Sequence, residues 1–176
     1  MIDIYSPYYI QRAYGGYSPC IQGNNAHGLR PFNGSVLPNC VGYATGRFNQ
    51  LMGLNDCIYL GSNEAMYFMS FAISQGLQTG MTPQVGACMV WDTTPALEGG
   101  HVSIVEEVYS NESVFCSESH WNATSLPLVE ERTRNKGGGN WGYGGTFFGF
   151  IYLPLTPVPV TDDGKMPIWM MLHYGL

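Results

Sequence analysis

The chain has 176 residues, 45% of them hydrophobic, which fits one globular domain and excludes disorder, collagen and coiled coil. Only 11% of its residues are charged, while 23 Gly, 12 Tyr and 4 Trp mark a loop-rich, aromatic protein. The net charge is −6 and three of the seven cations cluster at Arg132, Arg134 and Lys136, so there is no continuous basic face and nucleic acid is not expected as a partner.

Residues 1–37 are rich in Gly, Tyr, Pro and Asn and read as loops and turns. The first residues hold an acid and no early Lys or Arg, so they lack the pattern of a secretion signal. Asn39 is a good N-cap, and Val41, Ala44, Phe48, Leu51 and Met52 recur at helical spacing before Gly53. This predicts a helix with Cys40 in its first turn. A second helix is predicted with Ser62 or Asn63 as its cap, Gly76 as its stop, and Ala65, Met66, Phe68, Met69, Ala72 and Ile73 as its buried face.

Beyond Pro83 the period changes to short β-branched and aromatic runs at 87–91, 101–109, 113–117 and 146–153. The stretch EEVYSNES predicts a hairpin joining the second and third of these. Helices first and an antiparallel sheet after them predict an α+β fold. Residues 132–143 combine cations, three consecutive glycines and Trp141. They read either as a solvated turn or as a loop that moves over a substrate and engages its carboxylates. Prolines 154, 157 and 159 then stiffen a linker, and the run MPIWMMLHY is too short to span a membrane. The division is therefore 1–154 as the domain and 155–176 as a Pro-rich linker with a short apolar tail.

Five cysteines form an odd set without a Cys-x-x-Cys pair, so at least one thiol is free and no zinc site is expected. Cys88 and Cys116 lie in apolar runs and read as buried hydrophobes, whereas Cys20 and Cys57 carry no assignment. Cys40 has the placement of a nucleophile: the first turn of a helix offers unpaired N–H groups and the positive end of the dipole. His101 follows two glycines at a strand start, and the hairpin brings Glu118 beside it. A carboxylate on one imidazole nitrogen leaves the other to face a thiol, the logic of a nucleophile, base and orienter. Taken singly, each residue also has a plain structural reading: a packed Cys, a strand-end His bonded to backbone, a turn carboxylate. Chain order is what joins them.

The segments LPNCVGYATGRF, PQVGACMVWD, GGHVSIVEEV, SESHW and GGGNWGYGGTFFGFIYLP resemble, in that order, the cysteine, histidine-dependent amidohydrolase/peptidase (CHAP) domain of phage lysins and bacterial wall hydrolases. The resemblance covers residues 14–154. It implies a papain-like fold, with N-terminal helices packed on the antiparallel sheet, and cleavage of an amide bond in peptidoglycan. Cys40 would be the nucleophile, His101 the base and Glu118 its orienter, with no metal or cofactor required. Many members carry Asn two positions after the acid, where this chain has His120. Some carry an acidic calcium loop before the nucleophile, but residues 20–39 hold no Asp or Glu, so none is expected. Asn39, His120, Trp121, Trp141 and Arg134 are candidates for accessory or substrate-binding roles. Trp91 reads as core, Trp121 and Trp141 read equally as core or as groove rings, and Tyr143 as a ring that could line the groove.

The expected function is that of a peptidoglycan amidase or endopeptidase, phage-encoded, made in the host cytoplasm or carried on the virion, and acting at the bacterial wall. Two alternatives are a papain-like hydrolase of a protein or glutathione-like amide, and a non-catalytic virion or wall-binding module.

Overall fold

The structure is a computed structural model and describes residues 39–52, 60, 64–92, 99–120 and 129–154. Asn39 caps the first helix as its sequence predicts, its side-chain oxygen accepting the Val41 N–H at 2.9 Å. Helix α1 (Cys40–Met52) follows, with Val41, Ala44 and Phe48 buried. The second helical segment starts as a 3-10 turn (Ala65–Tyr67) that continues into α2 (Phe68–Ser74), and Gly76 stops it with a φ of +76°. Ala65, Phe68 and Ala72 are buried as expected, but Ile73 is exposed. At seven residues α2 is too short to bury a broad stripe, and Ile73 falls outside it. The expected caps Ser62 and Asn63 lie outside the described residues.

Six antiparallel strands form one sheet: β1 (Thr79–Gly80), β2 (Cys88–Trp91), β3 (His101–Ser110), β4 (Ser113–Glu118), β5 (Glu130–Asn135) and β6 (Phe147–Ile151). Their order is β1-β6-β2-β3-β4-β5, with the predicted β3–β4 hairpin at its heart. An α+β fold is thus observed. The sequence reading missed β1 and β5. The first is only two residues long, and the second, EERTRN, has no apolar alternation to reveal it.

Both sheet faces are covered, and strand alternation assigns side chains to each. Cys88, Val90, Val102, Ile104 and Ile151 pack with Cys40, Ala44, Phe48, Phe68 and Ala72 on the helical side. Met89, Trp91, Val105, Val114, Cys116 and Phe150 form a second core with Trp141 and Phe147. A polar chain locks α1 to the sheet between these layers. Tyr43 O–H donates to Ser117 Oγ at 2.7 Å, Ser117 donates to Glu106 at 2.6 Å, and Arg47 grips both Glu106 oxygens at 2.6 and 2.9 Å. In consequence, the start of α1 is fixed at the end of the sheet where β3 begins.

Candidate active site

Three elements meet at that end. The Asn39 N–H donates to Ser119 Oγ at 3.2 Å, which ties the helix start to the residue after β4. Cys40 and Val102, the residue next along from His101, pack in the same buried cluster, and the backbone N–H groups of Val102, Val41 and Cys40 favour the thiolate form. The nucleophile candidate therefore lies at the strand start that carries His101. Gly99 and Gly100, with φ of +92° and +75°, turn the chain into β3. Gly100 leaves no room for a side chain, since a Cβ there would lie 2.4 Å from the Trp91 carbonyl oxygen and 2.9 Å from the Met66 nitrogen.

His101 is buried, and its Nε2 stands 3.2 Å from Glu118 Oε2. That contact leaves Nδ1 as the imidazole nitrogen available to a thiol. His101 is also packed by rings: Tyr143 stacks on it at 4.8 Å and His120 at 5.2 Å, and Trp91 lies 5.8 Å away. Glu118 is fully buried and collects positive partners. Arg134 approaches Oε2 with Nη2 at 2.5 Å and Nε at 3.2 Å. On the other oxygen, Oε1, Arg132 Nε stands at 2.8 Å and His120 Nε2 at 3.4 Å. The Arg132 contact is close but lacks hydrogen-bond geometry, so Oε1 is neutralised without being saturated.

These surroundings set the proton affinities. Burial pushes the Cys40 thiol up to about 11, against the three N–H groups that pull it down. The expected thiolate bias of the helix start is therefore outweighed by desolvation, and the resting thiol keeps its proton. Burial likewise lowers His101 below the ordinary imidazole value despite Glu118. Burial alone would raise Glu118, but hydrogen bonds from His101 and His120 and the charges of His101 and Arg134 hold its carboxyl well below the usual carboxylate range. Contact with Glu118 raises His120. Burial thus works against both the thiolate and the imidazolium, while the partners of Glu118 favour its ionised form.

Other expectations come out differently. Residues 132–135 are strand and not loop: Arg134 sits on β5, buried, and the carboxylate it engages belongs to the protein, while 136–143 form turns around a 3-10 turn at Gly137–Gly139. Trp141 is buried against Phe147 and Phe150 and lines no groove. Trp91 is core, as its run predicts, while Tyr143 stays half-buried against His101. Cys88 and Cys116 are buried thiols, also as predicted. Trp121, Cys20, Cys57 and the segment 155–176 lie outside the described residues. Sequence reasoning missed the pairing of Arg134 with Glu118. The signal present was the spacing of Arg132, Arg134 and Lys136, every second residue, which is the period of one strand face.

His101, Glu118 and His120 offer three possible ligand atoms within 4.8 Å of one another. The two imidazole planes are 6° from parallel, so their in-plane lone pairs do not converge on one ion. Two guanidinium groups already occupy the carboxylate. The cluster is arranged for holding and passing protons.

Among protein families, the CHAP domain matches residues 30–120. A solved structure of an N-acetylmuramoyl-L-alanine amidase from Staphylococcus aureus aligns with 29% identity over 56% of this chain and 27% of that one, at a TM-score of 0.45. The chain thus spans about a quarter of that amidase's length. No curated protein matches the sequence.

Proposed function

The chain belongs to the CHAP domain family, and from that premise we propose that it hydrolyses an amide bond of peptidoglycan with Cys40 as nucleophile, His101 as base and Glu118 as the group that orients His101. One observation carries this reading: a buried helix-start thiol packs with Val102 at the strand start whose His101 ring has its far nitrogen held by a fully buried carboxylate. The same three groups without that order would be only a polar cluster.

In the proposed reaction His101 Nδ1 takes the thiol proton as Cys40 Sγ attacks the amide carbonyl carbon. The carbonyl electron pair moves onto oxygen, and N–H groups at the helix start, Cys40's own among them, stabilise the resulting oxyanion. Collapse breaks the C–N bond, and the imidazolium returns its proton to the departing amine. Water then attacks the thioester with His101 again as base, which releases a carboxylic acid and restores the thiol. Burial makes the thiolate costly at rest, so proton transfer accompanies attack instead of preceding it. Glu118 favours the transient imidazolium and fixes the ring. The aromatic wall of Tyr143 and His120 beside the imidazole suits a weakly charged glycopeptide. The sequence segments resemble those of phage lysins and bacterial wall hydrolases, and the proposal takes the chain as a phage-encoded enzyme acting on its host's wall.

Purified peptidoglycan tests the reading. The full chain should release new amino termini without new reducing sugars, and both Cys40→Ala and His101→Ala should abolish release while remaining folded. Release of reducing sugars would refute amide cleavage, and equal release by Cys40→Ala would refute the thiol mechanism. Inactivity on every wall tested, with turnover of a small peptide amide, would favour a papain-like hydrolase of another substrate. Wall binding without turnover of either would favour the non-catalytic module.

A further inference from the structure

We infer that Arg134 is a positioning residue for this reaction: its buried guanidinium clamps Glu118 and offsets part of its charge, so that the carboxylate orients His101 without fixing a proton on it at rest. The inference rests on the hydrolase reading above for the use of His101 as base. Its own basis is the construction around Arg134.

Every nitrogen of the guanidinium has a partner. Nε and Nη2 share Glu118 Oε2, the same oxygen that meets His101, and Nη1 donates to the Trp141 carbonyl at 3.2 Å. Trp141 is the one described non-glycine residue with a positive φ, +53°, a conformation costly for a bulky side chain. The strained residue is thus the one whose carbonyl caps the arginine. The guanidinium carbon also lies 4.8 Å from the Trp91 ring and 5.8 Å from the Tyr143 ring. Those two rings pack on His101 as well, so Arg134, Glu118 and His101 share the same aromatic walls.

A cation at this place has a chemical use. A buried carboxylate in sole contact with an imidazole favours imidazolium, and a base already protonated cannot accept the thiol proton. A guanidinium on the same oxygen lessens that bias while leaving the hydrogen bond in place. Other groups facing His101 are Glu118 and His120 at the end of β4 and Tyr143 before β6, and Cys40 on α1 packs with the neighbouring Val102. Arg132 on β5 acts through Glu118, while Glu64 lies beside Gly99 and Asp92 follows β2. Arg132 and His120 are part-exposed and screened by solvent, so neither substitutes for the buried Arg134. The lowered proton affinity of His101, to which burial contributes most and the Arg134 charge contributes further, agrees with this role.

Two full-length variants separate charge from packing. Arg134→Gln keeps a donor and removes the charge, whereas Arg134→Lys keeps the charge and loses the fork. His101 is followed by NMR titration of labelled histidine, assigned with His101→Ala, alongside the pH profile of wall hydrolysis. With Arg134→Gln the His101 midpoint and the acid limb of kcat/KM should rise by about one pH unit, because a nearby buried cation no longer opposes imidazolium. With Arg134→Lys both should stay at the wild-type position while kcat falls. An unmoved midpoint in Arg134→Gln, or equal shifts in both variants, would overturn the inference. If Arg134→Gln does not fold, Arg134→Met, which keeps the buried stem without the charge, takes its place: the same rise in the His101 midpoint is expected, and an unmoved midpoint overturns the role. Should the chain fail to cut any wall, the substrate reading falls, but the titration still judges Arg134.

Discussion

Replacing Glu118 by Gln keeps the side chain's shape and removes its charge, which makes Glu118→Gln the sharpest probe of the site. In the wild type this fully buried carboxylate is 3.2 Å from His101 Nε2 and 2.5 Å from Arg134 Nη2, with Arg132 Nε 2.8 Å from its second oxygen. The variant leaves the buried Arg134 without a counter-ion, and breaking a buried pair by removing one partner costs about 3–5 kcal/mol. The sign with pH follows from linkage. The folded-state proton affinity of Glu118 is depressed, so its contribution is complete above the unfolded carboxyl value of about 4.3 and is lost as pH falls toward the folded value. Wild type and variant should therefore differ by the full amount at pH 7, and the gap should shrink by about 1.4 kcal/mol for each pH unit below 4.3. Urea unfolding at pH 7, 5 and 3 measures this directly. Activity should fall by about a thousandfold to ten-thousandfold, since a neutral amide neither holds the right tautomer nor stabilises imidazolium. A stability gap that is unchanged from pH 7 to pH 3 would refute the charge argument and assign the loss to packing.

Gly100→Ala should destabilise the fold by about 2 kcal/mol or more and lower hydrolysis, because a Cβ meets two backbone atoms at a positive φ; thermal unfolding and wall turnover check it. Tyr43→Phe removes the hydroxyl donated to Ser117, and should cost about 1 kcal/mol in urea unfolding while leaving kcat within about twofold. His120→Asn should keep turnover within about tenfold, since the ring is part-exposed and contributes two long ion pairs, to Glu118 and Glu130. A His101 midpoint measured in that variant should rise by less than in Arg134→Gln.

The features legible in the sequence are those carried by short-range physics. Asn39 announced the cap of α1, the switch of apolar period marked β2, β3, β4 and β6, and the hairpin logic put Glu118 beside His101. What escaped is long-range or rests on burial. The strand β5 has no apolar alternation because its inward residue, Arg134, is a cation whose counter-charge arrives from β4. Trp141 read equally as core or groove because nothing local shows that its left-handed backbone carries it into the second core. The dipole at the helix start favours a thiolate, whereas the opposing desolvation depends on strands brought in from dozens of residues away.

The low charge count gains meaning from where the charges lie. In a chain with only 20 ionisable Asp, Glu, Lys and Arg residues, Glu118, Arg134, Arg132 and Glu130 gather beside one histidine, and Arg47 and Glu106 lock the helix that carries Cys40. Apolar replacements would pack these positions at least as stably, since buried ion pairs seldom contribute net stability. Two such groups in so weakly charged a protein are better explained by placement. The Arg47–Glu106 pair fixes where the thiol stands, and the Arg134–Glu118 pair fixes how the imidazole stands and which proton it carries. It follows that Arg47→Met together with Glu106→Leu should retain or raise the unfolding midpoint while lowering kcat, because the helix keeps its apolar seat and loses its register against β3. A double variant that is strongly destabilised, or that keeps full turnover, would show that this pair serves stability and not alignment.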